Sequence, residues 1–328
     1  MNNQFSPSDM KTILHSKRAN LYYLQHCRIL VNGGRVEYVT DEGKQSLYWN
    51  IPIANTTAVM LGTGTSVTQA AMREFAKAGV LVGFCGGGGT PLFTANEVEV
   101  DVSWLTPQSE YRPTEYLQHW VSFWFNDDKR LAAAIAFQQQ RIAQIRTHWL
   151  SARMQREQTF DVDAAQLNSV LDNFIQRLSA CQNSNDVLAQ EAVMTKALYK
   201  LAANGVKYGE FLRAKRGSGS GIDIANRFLD HGNYLAYGLV ATAAWVIGLP
   251  HGLSILHGKT RRGGLVFDIA DLIKDALILP QAFIAAMAGE DEQQFRQRCL
   301  TGFQQADALD VMIDTLKDTA ESLSQVGK

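Results

Sequence analysis

Apolar and polar positions change their rhythm partway along the chain. Up to about Val102, short apolar runs are bounded by turn residues, as strands are: residues 27–40 (CRILVNGGRVEYVT), 46–53, 57–64, 80–87 and 90–94. Asn32, Gly33 and Gly34 between two such runs predict a tight hairpin. One helix interrupts the strands over residues 66–79 (SVTQAAMREFAKAG), which open on a Ser or Thr cap, carry Ala, Met and Phe at helical spacing and end on Gly79. Beyond Pro113 the spacing turns helical over residues 113–150, 163–180, 186–203, 222–247, 265–287 and 290–325. The expected fold is therefore α+β and multidomain. A small strand-rich domain over residues 1–104 and a linker over 105–116, with Pro107 and Pro113, precede a nearly all-helical domain over 117–328. No repeat is visible, and the only low-complexity piece is the GSGSG of residues 217–221, expected as a flexible loop.

A chain of 328 residues that is 46% hydrophobic can bury a core of that size. Its four cysteines, Cys27, Cys85, Cys181 and Cys299, form no CxxC pair, which speaks against a zinc ribbon or disulfide framework and fits a reducing compartment. The N-terminal residues lack the apolar stretch of a secretory signal, and no run reaches the roughly 18 to 20 apolar residues of a membrane span. The expectation is a cytoplasmic protein without a membrane partner. Net charge is only -1, so a nucleic-acid binder of this composition has to segregate its cations. Between residues 196 and 216 it does: Lys196, Lys200, Lys207, Arg213, Lys215 and Arg216 stand against the single acid Glu210.

Residues 255–275 (ILHGKTRRGGLVFDIADLIKD) concentrate the chemistry. On a helix, Asp268, Asp271 and Asp275 share one face at spacings of three and four, with His257 a loop away and Lys259, Arg261 and Arg262 between them. Carboxylates with an imidazole suit a hard divalent cation, and the neighbouring cations suit phosphate. The same residues also fit a plainer account, in which the aspartates complement a helix dipole and the histidine is hydrogen-bonded in an apolar setting. Glu191 sits mid-helix among Leu188, Ala189, Ala192, Val193 and Met194, where it either needs a partner or lies on a solvated face. Two nucleotide-loop patterns fail. The four glycines of residues 86–89 lack a following Lys-Ser or Lys-Thr, and Gly258-Lys259-Thr260 has Leu253 where a glycine is required. No serine or cysteine sits in a nucleophile motif.

Several blocks together resemble the CRISPR-associated integrase family, metal-dependent DNA endonucleases that insert spacers into CRISPR arrays. They are QEAVMTKALY with Glu191, GLPHGLSILHG with His257, GLVFDIADLI with Asp268 and Asp271, GTGTSVTQAAMREFAKAGVLVGF, and ANRFLDHGNYLAYGLV. The length, RRGGLVFDIADLIKD and NLYYLQHCRILVNGGRVEYV look most like the subtype I-F branch. The resemblance implies catalytic residues Glu191, His257, Asp268 and Asp271, with Mg2+ or Mn2+ held by Glu191, His257 and Asp271 and with Asp268 bridging through water. Two oxygens and one nitrogen without thiolate favour those metals over zinc. It implies transesterification, in which the 3'-hydroxyl of a captured DNA fragment attacks a phosphodiester at the repeat boundary.

The implied partners are DNA (duplex, branched, prespacer and CRISPR repeat) and a second CRISPR adaptation protein fused to a helicase-nuclease. A second copy of the chain is also implied, with the apolar stretch of residues 59–64 and the aromatics Tyr48 and Trp49 as interface material. Phosphate contacts are expected from Lys196, Lys200, Lys207, Arg213, Lys215, Arg216, Lys259, Arg261 and Arg262. A non-catalytic DNA-binding scaffold is the main alternative. A metal hydrolase of small phosphorylated substrates is the other, and it has no use for so extended a basic run.

Overall fold

The computed structural model describes residues 18, 20–42, 45–85, 103–105, 113–156, 160–214, 223–257 and 263–324. It divides into two compact units, Met1–Arg112 and Pro113–Lys328. The fold class is the expected one, with strands concentrated in the first unit and helices filling the second. At either end of the linker expected over 105–116, Leu105 ends a strand and Glu115 opens a helix.

In the first unit the strands are β1 (Asn20–Leu24), β2 (Arg28–Asn32), β3 (Arg35–Glu42), β4 (Gln45–Asn50), β5 (Thr56–Leu61), β6 (Ser66–Val67), β7 (Leu81–Phe84) and β8 (Ser103–Leu105), with helix α1 (Gln69–Ala78) between β6 and β7. One sheet has the order β1-β5-β7-β8, parallel except for the β7–β8 pair. The other runs β4-β3-β2-β6. Gly33 and Gly34 both have positive φ, +55° and +79°, which closes the β2–β3 hairpin in register at Asn32 and Arg35. Helix α1 is capped by the Thr68 side chain and ends on left-handed Gly79, as expected, and links parallel β5 and β7. Its Phe75 packs with Ile29, Val36, Ile51, Val59, Leu61 and Val82 in one core.

β5 is buried at every position, so Val59–Leu61 is core and cannot serve as interface material, which corrects that expectation. The period could not tell a strand covered on both faces from an exposed apolar one. Edge strand β4 does expose Tyr48 and Trp49. The two expected features at 86–89 and 90–94 lie outside the described residues.

The second unit consists of α2 (Glu115–Trp124), α3 (Asp127–Trp149), α4 (Ala152–Arg156), α5 (Ala164–Leu178), α6 (Ser184–Gly205), α7 (Ile224–Val246), α8 (Gly264–Ile273), α9 (Leu279–Ala288), α10 (Glu292–Gln305) and α11 (Ala308–Leu323). Two of the expected long helices are broken. Asn126 caps α3 with its side chain and so ends α2, and Asp307, at φ +46°, separates α10 from α11. Between α8 and α9 the helix widens into a π-turn over Lys274–Ile278. Pro280 follows in the first turn of α9. It has no N–H to donate and its ring crowds the carbonyl four residues back, so a regular α-ladder cannot pass through this point.

Helix α8 is buried at all ten positions, and α7 is buried around most of its circumference. Among the described residues no helix is long and apolar enough to cross a membrane. α7 approaches the π-turn at Gly232, where an added Cβ would overlap Ile278 Cγ2 and sit 3.3 Å from Phe295 Cζ. Gly232→Ala is therefore expected to destabilise the fold. The overpacking cost of about 1–3 kcal/mol outweighs the roughly 1 kcal/mol gained in helix propensity. A denaturant midpoint equal to or above the wild type's would contradict this close approach.

Candidate metal centre

α8 has no face toward solvent, yet it carries two carboxylates, Asp268 and Asp271, 3% and 4% exposed. Buried charge of this kind demands partners. Asp268 finds them in the loop before the helix, where its oxygens accept the backbone N–H of Ile255 (2.6 Å), Leu256 (3.2 Å) and His257 (3.0 Å) and the ring Nδ1 of His257 (2.7 Å). Two tryptophans of α2 hold the same loop from its carbonyls: Trp120 Nε1 donates to Leu253 O at 3.0 Å and Trp124 Nε1 to Ser254 O at 2.7 Å. The loop is thereby fixed on both sides. With Nδ1 engaged, Nε2 is the ring atom left for a ligand.

Nε2 points toward Asp271, 3.9 Å from its Oδ2. That oxygen is buried without a hydrogen-bond partner, while Oδ1 accepts from Lys274 Nζ at 2.5 Å. Glu191 of α6 completes the group: one ligand atom each from Glu191, His257 and Asp271 lie within 4.8 Å of one another. An orphaned carboxylate oxygen beside an imidazole nitrogen and a second carboxylate is a donor set that a hard divalent cation would satisfy.

Burial and Asp271 push the Glu191 carboxyl up, against the lowering effect of Arg141 and His257. For His257, burial lowers the pKa, but the Asp268 hydrogen bond and the charges of Asp271, Asp268 and Glu191 outweigh it and the group ends above its ordinary value. Burial opposes ionisation of Asp271 too, yet Lys274, Arg141 and His257 hold it at about 2.

Asp275 does not join Asp271 toward the ligand group, although a regular helix would have put them on one face. The π-turn presents it to Arg141 of α3 instead, whose Nε donates to Asp275 Oδ2 at 3.0 Å and whose Nη2 pairs with the same oxygen. Arg141 also reaches Glu191 Oε1 at 2.9 Å. Sequence reasoning missed Arg141, Gln138 and Lys274. A signal existed for the first two, because Gln138 and Arg141 interrupt the buried stripe of Ala134, Phe137, Ile142, Ile145 and Trp149 along α3.

The basic run is dispersed. Lys196 and Lys200 are exposed on α6, but at about 100° per residue they lie about 140° and about 180° around the helix from Glu191. Lys207 is exposed beyond the helix end. Arg213 is paired with Asp230 and donates to Asn226 Oδ1 at 2.8 Å. Lys215, Arg216, Lys259, Arg261 and Arg262 lie outside the described residues, as do residues 217–221.

The profile of the family described as CRISPR associated protein Cas1 matches residues 21–298. The chain belongs to the Cas1 family. A CRISPR-associated endonuclease Cas1 of Pectobacterium atrosepticum is 76% identical over 326 residues, covering 99% of each chain. Another, from Pseudomonas aeruginosa, is 69% identical over 316 residues, 96% of this chain and 97% of that one. Both come from subtype I-F organisms. Among solved structures, a Cas1 protein from Thermotoga maritima superposes with a TM-score of 0.70 at 16% identity, covering 94% of this chain and 99% of that one. A casposase bound to integration product gives 0.68 at 13% identity over 92% and 91%. A Cas1–DNA complex, TtCas1, gives 0.62 at 19% identity over 94% and 93%. At these identities the likeness to the Cas1 structures and to the casposase is one of fold.

Asp268→Asn is expected to unsettle the His257 loop, because the amide turns an N–H2 toward groups that are themselves donors. A loss of about 1–3 kcal/mol follows from the buried hydrogen bonds forfeited. Denaturant titration of the purified variant checks it, and a wild-type midpoint would count against Asp268 as the loop's anchor.

Proposed function

We propose that this Cas1 chain is a divalent-metal-dependent DNA endonuclease and integrase that inserts spacers into a CRISPR array by transesterification. The observation that carries the reading is the buried, unpaired Asp271 oxygen facing His257 Nε2 and Glu191. Glu191, His257 and Asp271 would hold Mg2+ or Mn2+, since two oxygens and one nitrogen make a hard donor set. Such an ion, when bound, supplies Lewis acidity at the phosphoryl oxygen and charge for the leaving oxygen.

The remaining work falls to the chain. Asp268 keeps the imidazole turned so that Nε2 faces Asp271, and so acts on the centre through His257, in place of the water-bridged role expected for it. Lys274 neutralises the outer oxygen of Asp271 and leaves the inner one available. No side-chain nucleophile is needed, because the attacking group is the 3'-hydroxyl of the incoming DNA, whose new P–O bond forms as the repeat's P–O bond breaks.

The casposase likeness supports strand transfer, since that protein was captured with its integration product, and the TtCas1 complex supports DNA as substrate. A second copy of the chain fits exposed Tyr48 and Trp49 on the edge strand β4.

Cleavage and strand integration on branched DNA, with Mn2+, with Mg2+ and with chelator, test the reading. Folded Glu191→Ala, His257→Ala and Asp271→Ala variants are expected to lose at least about a hundredfold in rate, as does the wild type in chelator. Normal rates in these variants would overturn it, and DNA binding without chemistry under any metal would favour the scaffold. DNA affinity should fall by orders of magnitude between about 50 and 200 mM salt if six or more phosphates are contacted. A flat salt titration would remove the phosphate-tracking role from the basic run.

A further inference from the structure

Arg141 occupies an unusual position. It is 2% exposed in the middle of α3, and every nitrogen of its guanidinium has an acceptor. Nε and Nη2 go to Asp275, Nη2 also reaches Thr195 Oγ1 at 3.0 Å, and Nη1 reaches Glu191 Oε1 at 2.9 Å and Gln138 Oε1 at 3.2 Å. Gln138 in turn offers Nε2 to Glu191 Oε2 at 3.4 Å. Glu191 is thus held through both oxygens by α3. Thr195, one turn along α6 from Glu191, braces the same guanidinium.

Stability alone gives little reason for such a cluster. A buried ion pair typically gains no more than an apolar replacement of equal volume, because both charges must be stripped of water. What the fork geometry of arginine does supply is direction, since it bonds two carboxylates in fixed relative positions. Asp275 also bears on the charge at Glu191. By taking the Nε–Nη2 edge of the guanidinium it shares the cation, so that Glu191 is oriented without being fully neutralised. Four carboxylates, Glu191, Asp268, Asp271 and Asp275, gather here with two fixed cations, Arg141 and Lys274, and the imidazole of His257, a surplus of anionic groups that a divalent ion would offset.

We propose that Arg141, clamped by Asp275 of the π-turn, is a positioning residue for Glu191 and thereby sets the cation affinity of the centre. The inference rests on reading Glu191, His257 and Asp271 as a metal site. Asp275→Asn, nearly isosteric, releases the guanidinium onto Glu191. Arg141→Lys keeps the charge but cannot bridge both carboxylates.

Mn2+ titration of the full chain, read by the electron paramagnetic resonance of free Mn2+, tests the idea alongside the melting temperature of each metal-free variant. The wild type should take up Mn2+. Both variants should bind it about tenfold more weakly or worse, the range typical of lost partners behind a metal ligand. In Asp275→Asn, strand transfer should recover as Mn2+ is raised, with KM for DNA unchanged. Wild-type Mn2+ affinity in either folded variant overturns the proposal, whatever happens to the melting temperature. If Arg141→Lys fails to fold, Asp275→Asn decides alone. A wild-type chain that takes up no Mn2+ overturns the metal reading itself, a distinct outcome.

Discussion

Carboxylates on a helix without a solvent face are the constraint on which this centre depends. α8 and the turn after it carry Asp268, Asp271 and Asp275, all buried. Each must be matched, because an unpartnered buried charge costs several kcal/mol. The three are matched differently: Asp268 by peptide N–H groups and an imidazole, Asp271 by an ammonium on one oxygen only, Asp275 by a guanidinium. The His257 loop and α3 meet this helix through these partners, α2 holds the loop in turn through Trp120 and Trp124, and α6 joins through Glu191 and Thr195, which bond Arg141. Asp271 Oδ2, fully buried and without a hydrogen-bond partner, is the oxygen beside His257 Nε2.

Much of this was legible in the chain. Asn32-Gly33-Gly34 and the Thr68 and Gly79 boundaries of α1 are local signals, set by backbone conformation and side-chain capping, and they need no tertiary context. The helices of the second unit follow from their apolar period. Breaks at Asn126 and Asp307 were hidden because the period runs on through them, and an asparagine or aspartate reads as easily as a solvated helical residue as it does as a cap. β1 was not distinguished from its surroundings, since five residues of mixed character are too short a run for a period to settle.

Glu191, His257 and Asp271, which the structure brings together, stood out by resemblance and by the oddity of acids in apolar stretches. Their supports did not, because Arg141 and Gln138 belong to a helix 50 residues from Glu191 and meet it only by packing. Asp275 shows the reverse error. Its spacing from Asp271 is right for a shared face, and only the widened turn, which spacing cannot reveal, sends it to a different neighbour.

That widened turn amounts to one residue more than a regular helix would need between Asp271 and the start of α9. Deleting a residue there would restore the regular ladder and leave α9 nearly in place relative to α8, because the π-turn takes up one extra residue in about the rotation a regular helix completes with one fewer. The change would fall on the turn itself: Asp275 would leave its place against α3, and Arg141 would lose its carboxylate. The irregularity is therefore the register mark that lets one continuous rod serve two neighbours facing different ways, and a more perfect helix would be a worse protein.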